Sequence, residues 1–95
     1  MRTYELIFIV HPDLDEDALK EIVERVQGWI AEGKGQINKV DLWGKRRLAY
    51  PIRKQTEGQY VLVEAQMDPA YCATLDRNLR FLEPVMRHSL VVVED

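Results

Sequence analysis

The sequence is poor in the residues that chemistry and cross-linking need: one cysteine, Cys72, and two histidines in 95 residues. A lone cysteine cannot close an internal disulfide, which excludes a small disulfide-stapled framework and fits a reducing cytoplasm. Long hydrophobic runs are also missing. Leu6 to Val10 and Leu90 to Val93 are short blocks, far below the roughly 20 residues of a membrane span, so no membrane partner is expected. No basic N-terminal segment leads into an apolar run as in a signal peptide. His11 and His88 stand apart in sequence, H-E-x-x-H and C-x-x-C spacings do not occur, and Gly33-Lys34-Gly35 lacks the rest of a phosphate loop. These absences argue against an enzyme, a metal, a cofactor or a small-molecule substrate. The acids Asp13, Asp15, Glu16 and Asp17 sit where a helix begins, and charge bias at a helix start explains them without a metal.

What is present suits one soluble globular domain spanning 1–95: hydrophobic residues make up 46% of the chain and charged residues 31%. The charge is unevenly placed. Residues 1–33 hold 3 basic and 8 acidic side chains, 34–54 hold 7 and 1, and 55–95 hold 3 and 7. A cationic band on an acidic body attracts a polyanion or acidic partner on one side and repels it elsewhere.

Tyr4 to Val10 alternates with both parities largely apolar, as in a central strand with one face covered by helices. After His11-Pro12, Asp13 with Glu16 three residues on forms a variant capping box, and Leu19, Ile22, Val23, Val26 and Ile30 recur at helical spacing up to a terminator at Gly33. Residues 36–52 form a long extended stretch. Ile37 can share one core with Val40, Leu42, Leu48, Tyr50 and Ile52 only if an extra residue is inserted near Asn38-Lys39, which predicts a bulge. Pro51 cannot donate to a ladder and so puts this strand at a sheet edge or its end. Gln55-Thr56-Glu57-Gly58 is the expected turn into a strand over 60–67. Asp68-Pro69 starts a short helix with Cys72, Leu75 and Leu79 on its buried side, and residues 85–93 form a last strand. The order β-α-β-β-α-β predicts an α+β, ferredoxin-like sandwich: a four-stranded antiparallel sheet with two helices on one face. Cys72 and His88 both fall at packed positions, as a small hydrophobe and a hydrogen-bonded histidine.

The band Trp43-Gly44-Lys45-Arg46-Arg47-Leu48-Ala49-Tyr50-Pro51-Ile52-Arg53-Lys54 holds five cations and two aromatics with no acid. Its cations could simply guard an exposed strand edge against pairing with other chains. Arginine, however, both forks onto phosphate and stacks on bases, and Trp43 and Tyr50 are interleaved with the charges, so RNA binding is an equal contender on composition. Tyr50 shares the parity of Leu48 and Ile52 and is expected in the core.

Gly44-Lys45-Arg46-Arg47-Leu48-Ala49-Tyr50-Pro51-Ile52-Arg53, following Met1-Arg2-Thr3-Tyr4-Glu5 and preceding Gly58-Gln59-Tyr60, resembles the signature of the bacterial small-subunit ribosomal protein six family over nearly the whole chain. The resemblance implies a ferredoxin-like structural protein of the ribosome that docks beside small-subunit ribosomal protein eighteen on the central domain of the small-subunit ribosomal RNA. Some members continue into a polar tail, whereas this sequence closes with Val93-Glu94-Asp95, so no contact from such a tail is expected. On this reading Lys45, Arg46, Arg47, Arg53 and Lys54 neutralise RNA phosphates, Arg2 and Arg87 add to them from nearby strands, and Ile7, Ile9, Leu62 and Trp43 offer apolar area to the protein partner. Strand alternation turns Lys45 and Arg47 one way and Arg46 the other. A conventional RNA-recognition module would need a Gly-aromatic pattern that Tyr60-Val61-Leu62-Val63 lacks. The other alternative, a ligand-sensing ferredoxin-like regulatory dimer, would need a cradle that the acidic, glycine-free His11-Pro12-Asp13 does not suit.

Overall fold

The alternation of Tyr4, Leu6, Phe8 and Val10 folds as β1 (Arg2–Val10), with all four side chains buried. In the computed structural model, which describes residues 1–94, it is followed by α1 (Glu16–Glu32), β2 (Gln36–Ile52), β3 (Gln55–Met67), a 3-10 turn (Pro69–Tyr71), α2 (Cys72–Arg80) and β4 (Val85–Glu94). Asp95 lies outside the described residues. The strands form one antiparallel sheet in the order β2-β3-β1-β4. Both helices pack on one face, where Tyr4, Leu6, Phe8 and Val10 meet Val61, Val63, Ala65 and Met67 of β3, the α1 stripe, and Leu75 and Leu79 of α2. This is the expected ferredoxin-like sandwich. Among the described residues, the other sheet face carries no helix.

The stripe of α1 is buried at the residues its spacing selects: Leu19, Ile22, Val23, Val26 and Ile30. The cap differs from the sequence expectation. Asp15 accepts from the Ala18 N–H at 2.8 Å, whereas Asp13 sits in a turn in which its own N–H donates to His11 Nδ1 at 3.1 Å. Asp68 caps the 3-10 turn by accepting from the Ala70 N–H, with Pro69 at the first position.

Strand β2 needs the closest reading, because the basic band lies on it. Ile37 faces Ala65 and Lys39 faces Glu64, so Asn38 is the extra residue of the predicted bulge. Ile37 and Val40 are half-buried and both pack against the core, as a single parity change allows. A second irregularity was not anticipated. Leu42 faces Val61 and Gly44 faces Tyr60, so Trp43 is inserted between them and every residue beyond it changes face. Leu48 therefore leaves the main core and joins Ile9 and Met86, beside Ile52 and Tyr60, in a second cluster on the helix-free face. Leu42 and Tyr50, both expected in the core, are each 55% exposed. For Leu42 the reason is position: it faces buried Val61, but on the outer strand of the sheet.

The turn also moves. Ile52 faces Gln55, and Arg53 and Lys54 form a two-residue hairpin with φ of 50° and 66°, the left-handed pair that a type I′ turn requires. Gly58, the expected turn glycine, serves a packing role instead. A Cβ there would lie 2.3 Å from Ile9 Cγ2 and 3.1 Å from Met86 Cε. The hairpin arm thus crosses the end of β1 and reaches β4.

A polar contact ties α2 to β4. His88 faces Phe8 across the β1–β4 ladder and donates from Nε2 to Asp76 Oδ1 at 2.6 Å, since the carboxylate has no proton to give. Arg80 donates to Asp76 Oδ2 at 2.6 Å. The hydrogen bond from His88, aided by the charges of His88 and Arg80 and opposed by partial burial, holds the Asp76 carboxyl below its usual range. A group whose folded pKa is depressed stabilises the fold above its unfolded pKa and loses that contribution as pH falls through the folded value. Asp76→Asn should therefore cost about 1 kcal/mol at neutral pH, after allowance for solvent screening. The gap from the parent should close as pH falls below about 4. Urea unfolding across a pH series checks this; a gap that stays constant into acid would show that the carboxylate charge is not what matters.

Candidate nucleic-acid interface

Lys45, Arg46 and Arg47 are all exposed on the outer strand β2. Arg46 faces Gly58, while Lys45 and Arg47 face Gln59 and Glu57, so the alternation expected from sequence holds and Arg46 alone is on the helix-free side. There it caps a stack. The Arg46 guanidinium carbon stands 5.1 Å from the centroid of the Trp43 ring, and Trp43 lies over Tyr60 at 6.1 Å and 16° between planes. The Trp43 indole N–H donates to Asp41 Oδ2 at 3.3 Å, which orients the ring. An arginine resting on an aromatic face keeps its fork outward for phosphate and its plane for stacking.

The other expected phosphate ligands separate into distinct places. Arg53 is at the hairpin tip, where its guanidinium donates to Glu83 O at 2.7 Å and Val85 O at 3.2 Å. It thus clasps the tip to the start of β4. Lys54 beside it is exposed. Arg87 packs over the Tyr50 ring at 5.6 Å and donates to the Tyr50 hydroxyl, which explains why Tyr50 stays outside the core. Arg2 does not join the others. It faces Met67 whereas Arg87 faces Ile9, which places them about 23 Å apart along β1 at roughly 3.3 Å per residue.

The apolar candidates are also sorted by the fold. Ile7 and Leu62 face each other on the helix-free side of the sheet and are half-buried. Trp43 is half-buried under Arg46. Ile9 is only 8% exposed, closed in by Leu48 and Met86, and has little surface left to offer a partner. Tyr60 was not singled out by sequence reasoning, because only the pairing of β2 with β3 brings its ring under Trp43.

Among the described residues, no three His, Cys, Asp or Glu side chains are grouped to hold a metal ion, and no helix is long and apolar enough to cross a membrane. The geometry is that of a ferredoxin-like sandwich that displays a basic edge strand and an aromatic stack beside an open sheet face. The family model for ribosomal protein S6 matches residues 3–92. The chain is 48% identical over 91 residues to the small ribosomal subunit protein bS6 of Clostridium kluyveri, covering 96% of each chain. It is 41% identical over 95 residues to that of Moorella thermoacetica, covering 100% of this chain and 97% of the relative. The crystal structure of 30S ribosomal protein S6 from Thermotoga maritima superposes with a TM-score of 0.92 at 33% identity, over 97% of this chain and 87% of that one. The chain belongs to the ribosomal protein S6 family. It is a structural protein of the small subunit of the cytoplasmic ribosome and not an enzyme, which removes the ligand-sensing regulatory dimer from consideration.

Proposed function

We propose that residues 1–95 act as one domain that binds the central domain of the small-subunit ribosomal RNA together with small-subunit ribosomal protein eighteen. The observation that carries the RNA half is the exposed trio Lys45, Arg46 and Arg47 beside the Trp43–Tyr60 stack, in a 34–54 segment with a single acid on an acidic body. Phosphates are neutralised by the trio, with Lys54 at the hairpin tip, Arg53 and Arg87 behind it, and Arg2 at the far end of β1 reaching a separate part of the RNA. The protein half rests on the helix-free sheet face, where Ile7, Leu62 and Trp43 offer apolar area next to the basic edge.

The net charge of −3 works against RNA over most of the surface, so the partner supplies much of the positive field. The isolated chain is therefore expected to bind a central-domain RNA fragment at least about tenfold more weakly than the preformed pair at physiological salt. Filter binding or calorimetry of chain, partner and mixture measures this. Tight binding by the chain alone would defeat the proposed division of labour.

A further inference from the structure

On the helix-free face of the sheet, beside the Trp43–Tyr60 stack, there is a pocket of about 150 Å³. Ile9 and Leu48, both buried, form its floor, and Tyr50, Ile52 and Tyr60 form its walls. We infer that this pocket is the anchor point for one apolar side chain of the protein partner; that a protein partner docks on this face rests on the function proposed above.

The pocket exists because β2 leaves the regular ladder. Arg47 faces Glu57 and Ile52 faces Gln55, so residues 48–51 stand against Thr56 alone. The surplus residues bow the strand. Leu48 then packs on Ile9 while Tyr50 stays outside, tied through its ring and hydroxyl to Arg87 of β4. The space between the bowed strand and β1 is therefore formed before a partner arrives, which lowers the cost of binding. Its size suits a single side chain, since an apolar cavity of roughly 150 Å³ holds a benzene-sized group.

Position and lining together say what enters. Ile7 and Leu62 pair two residues along the same strands from the Ile9–Tyr60 pair, so the apolar area assigned to the partner continues into the pocket roughly 7 Å away. A base of RNA fits less well. Tyr60 already has Trp43 against its ring and Tyr50 has Arg87, and among the described residues the lining has no carboxylate or amide side chain to read a base edge. An apolar side chain needs neither a free ring face nor such a group. A purely structural role for the corner accounts for the contact of Leu48 with Ile9 and Met86. It does not account for the space left open beside them between Tyr50 and Tyr60.

Two measurements test the anchor. In the first, the full chain carrying isotope-labelled methyl groups is mixed with the unlabelled partner, with and without the RNA fragment, and NMR records NOEs between molecules. The Leu48 and Ile52 methyls should give NOEs to an apolar side chain of the partner. NOEs from them to RNA base protons or to a second copy of the chain, with none to the partner, overturn the inference.

In the second, calorimetry measures pairing of chain and partner. Ala49→Phe, which fills the pocket from its exposed rim, should weaken pairing about tenfold or more, whereas Ala49→Ser, which leaves it open, should pair like the parent. Phenylalanine suits an exposed strand position, so the variant keeps its fold; a melt confirms it. Pairing weakened by Leu62→Ala on the neighbouring patch but not by Ala49→Phe overturns the anchor and leaves the proposed function standing. A parent chain that does not pair with the partner overturns both.

Discussion

Replacing Lys45, Arg46 and Arg47 together by alanine should lower the slope of log affinity against log salt by about 2 to 3 when the chain and its partner bind the RNA fragment, because each neutralised phosphate contributes roughly 0.7 to 0.9. The three side chains are exposed and leave the strand on two different faces, so a groove of RNA that wraps the edge can reach all of them, whereas a flat surface cannot. The single variants separate the contributions. Lys45→Ala and Arg47→Ala should weaken binding evenly across RNA variants. Arg46→Ala removes the cation that rests on Trp43; if that plane stacks on a base, its loss should cost about 1 to 3 kcal/mol at some RNA variants and much less at others. The competing role, an edge guard against pairing with other chains, makes a different forecast: unchanged assembly at every salt concentration with falling solubility. An unchanged slope in folded triple variant would refute this strand as the RNA-facing element.

Phe8→Ala is expected to cost about 3 to 5 kcal/mol, a large share of the roughly 5 to 15 kcal/mol that holds a domain of this size together. Phe8 is fully buried at the centre of the sheet, facing Val61 of β3 on one side and His88 of β4 on the other. Its removal leaves a cavity beneath both helices that the surrounding strands, hydrogen-bonded on each side, cannot close. Leu42→Ala is the control. Leu42 faces the same side of the sheet but is 55% exposed on the outer strand, so its truncation should stay within about 0.5 kcal/mol of the parent. Urea unfolding of the two variants decides the matter. A loss below about 1 kcal/mol at Phe8 would place the centre of the core elsewhere.

Periodicity alone determined the element order, the buried stripe of α1 and the bulge at Asn38. Each is a local consequence of where apolar side chains must go: Leu19, Ile22, Val23, Val26 and Ile30 have one helical face to share, and Ile37 and Val40 cannot reach one side of a strand without an extra residue. The family signature and the unusual charge of residues 34–54 were equally legible, since both are properties of sequence. The bulge at Trp43 was not. Leu42 and Leu48 have the same parity, and an apolar residue is at home on either face of a sheet that has a core on one side and a smaller cluster on the other. Only the meeting of Leu48 with Ile9 and Met86 decides the side.

The hairpin turn was hidden for a related reason. Arginine and lysine rarely adopt positive φ, so Gly58 drew the expected turn to itself, whereas in the fold Arg53 and Lys54 are both left-handed and the Arg53 guanidinium donates to Glu83 O and Val85 O. Gly58 is glycine because a Cβ has no room against Ile9. The meeting of Arg53 with Glu83 O and Val85 O, and of Tyr50 with Arg87, depends on that same crossing of the hairpin over the end of β1. These partners are 30 to 37 residues apart in sequence, and no local pattern encodes a contact that only the packing of the hairpin on β4 creates.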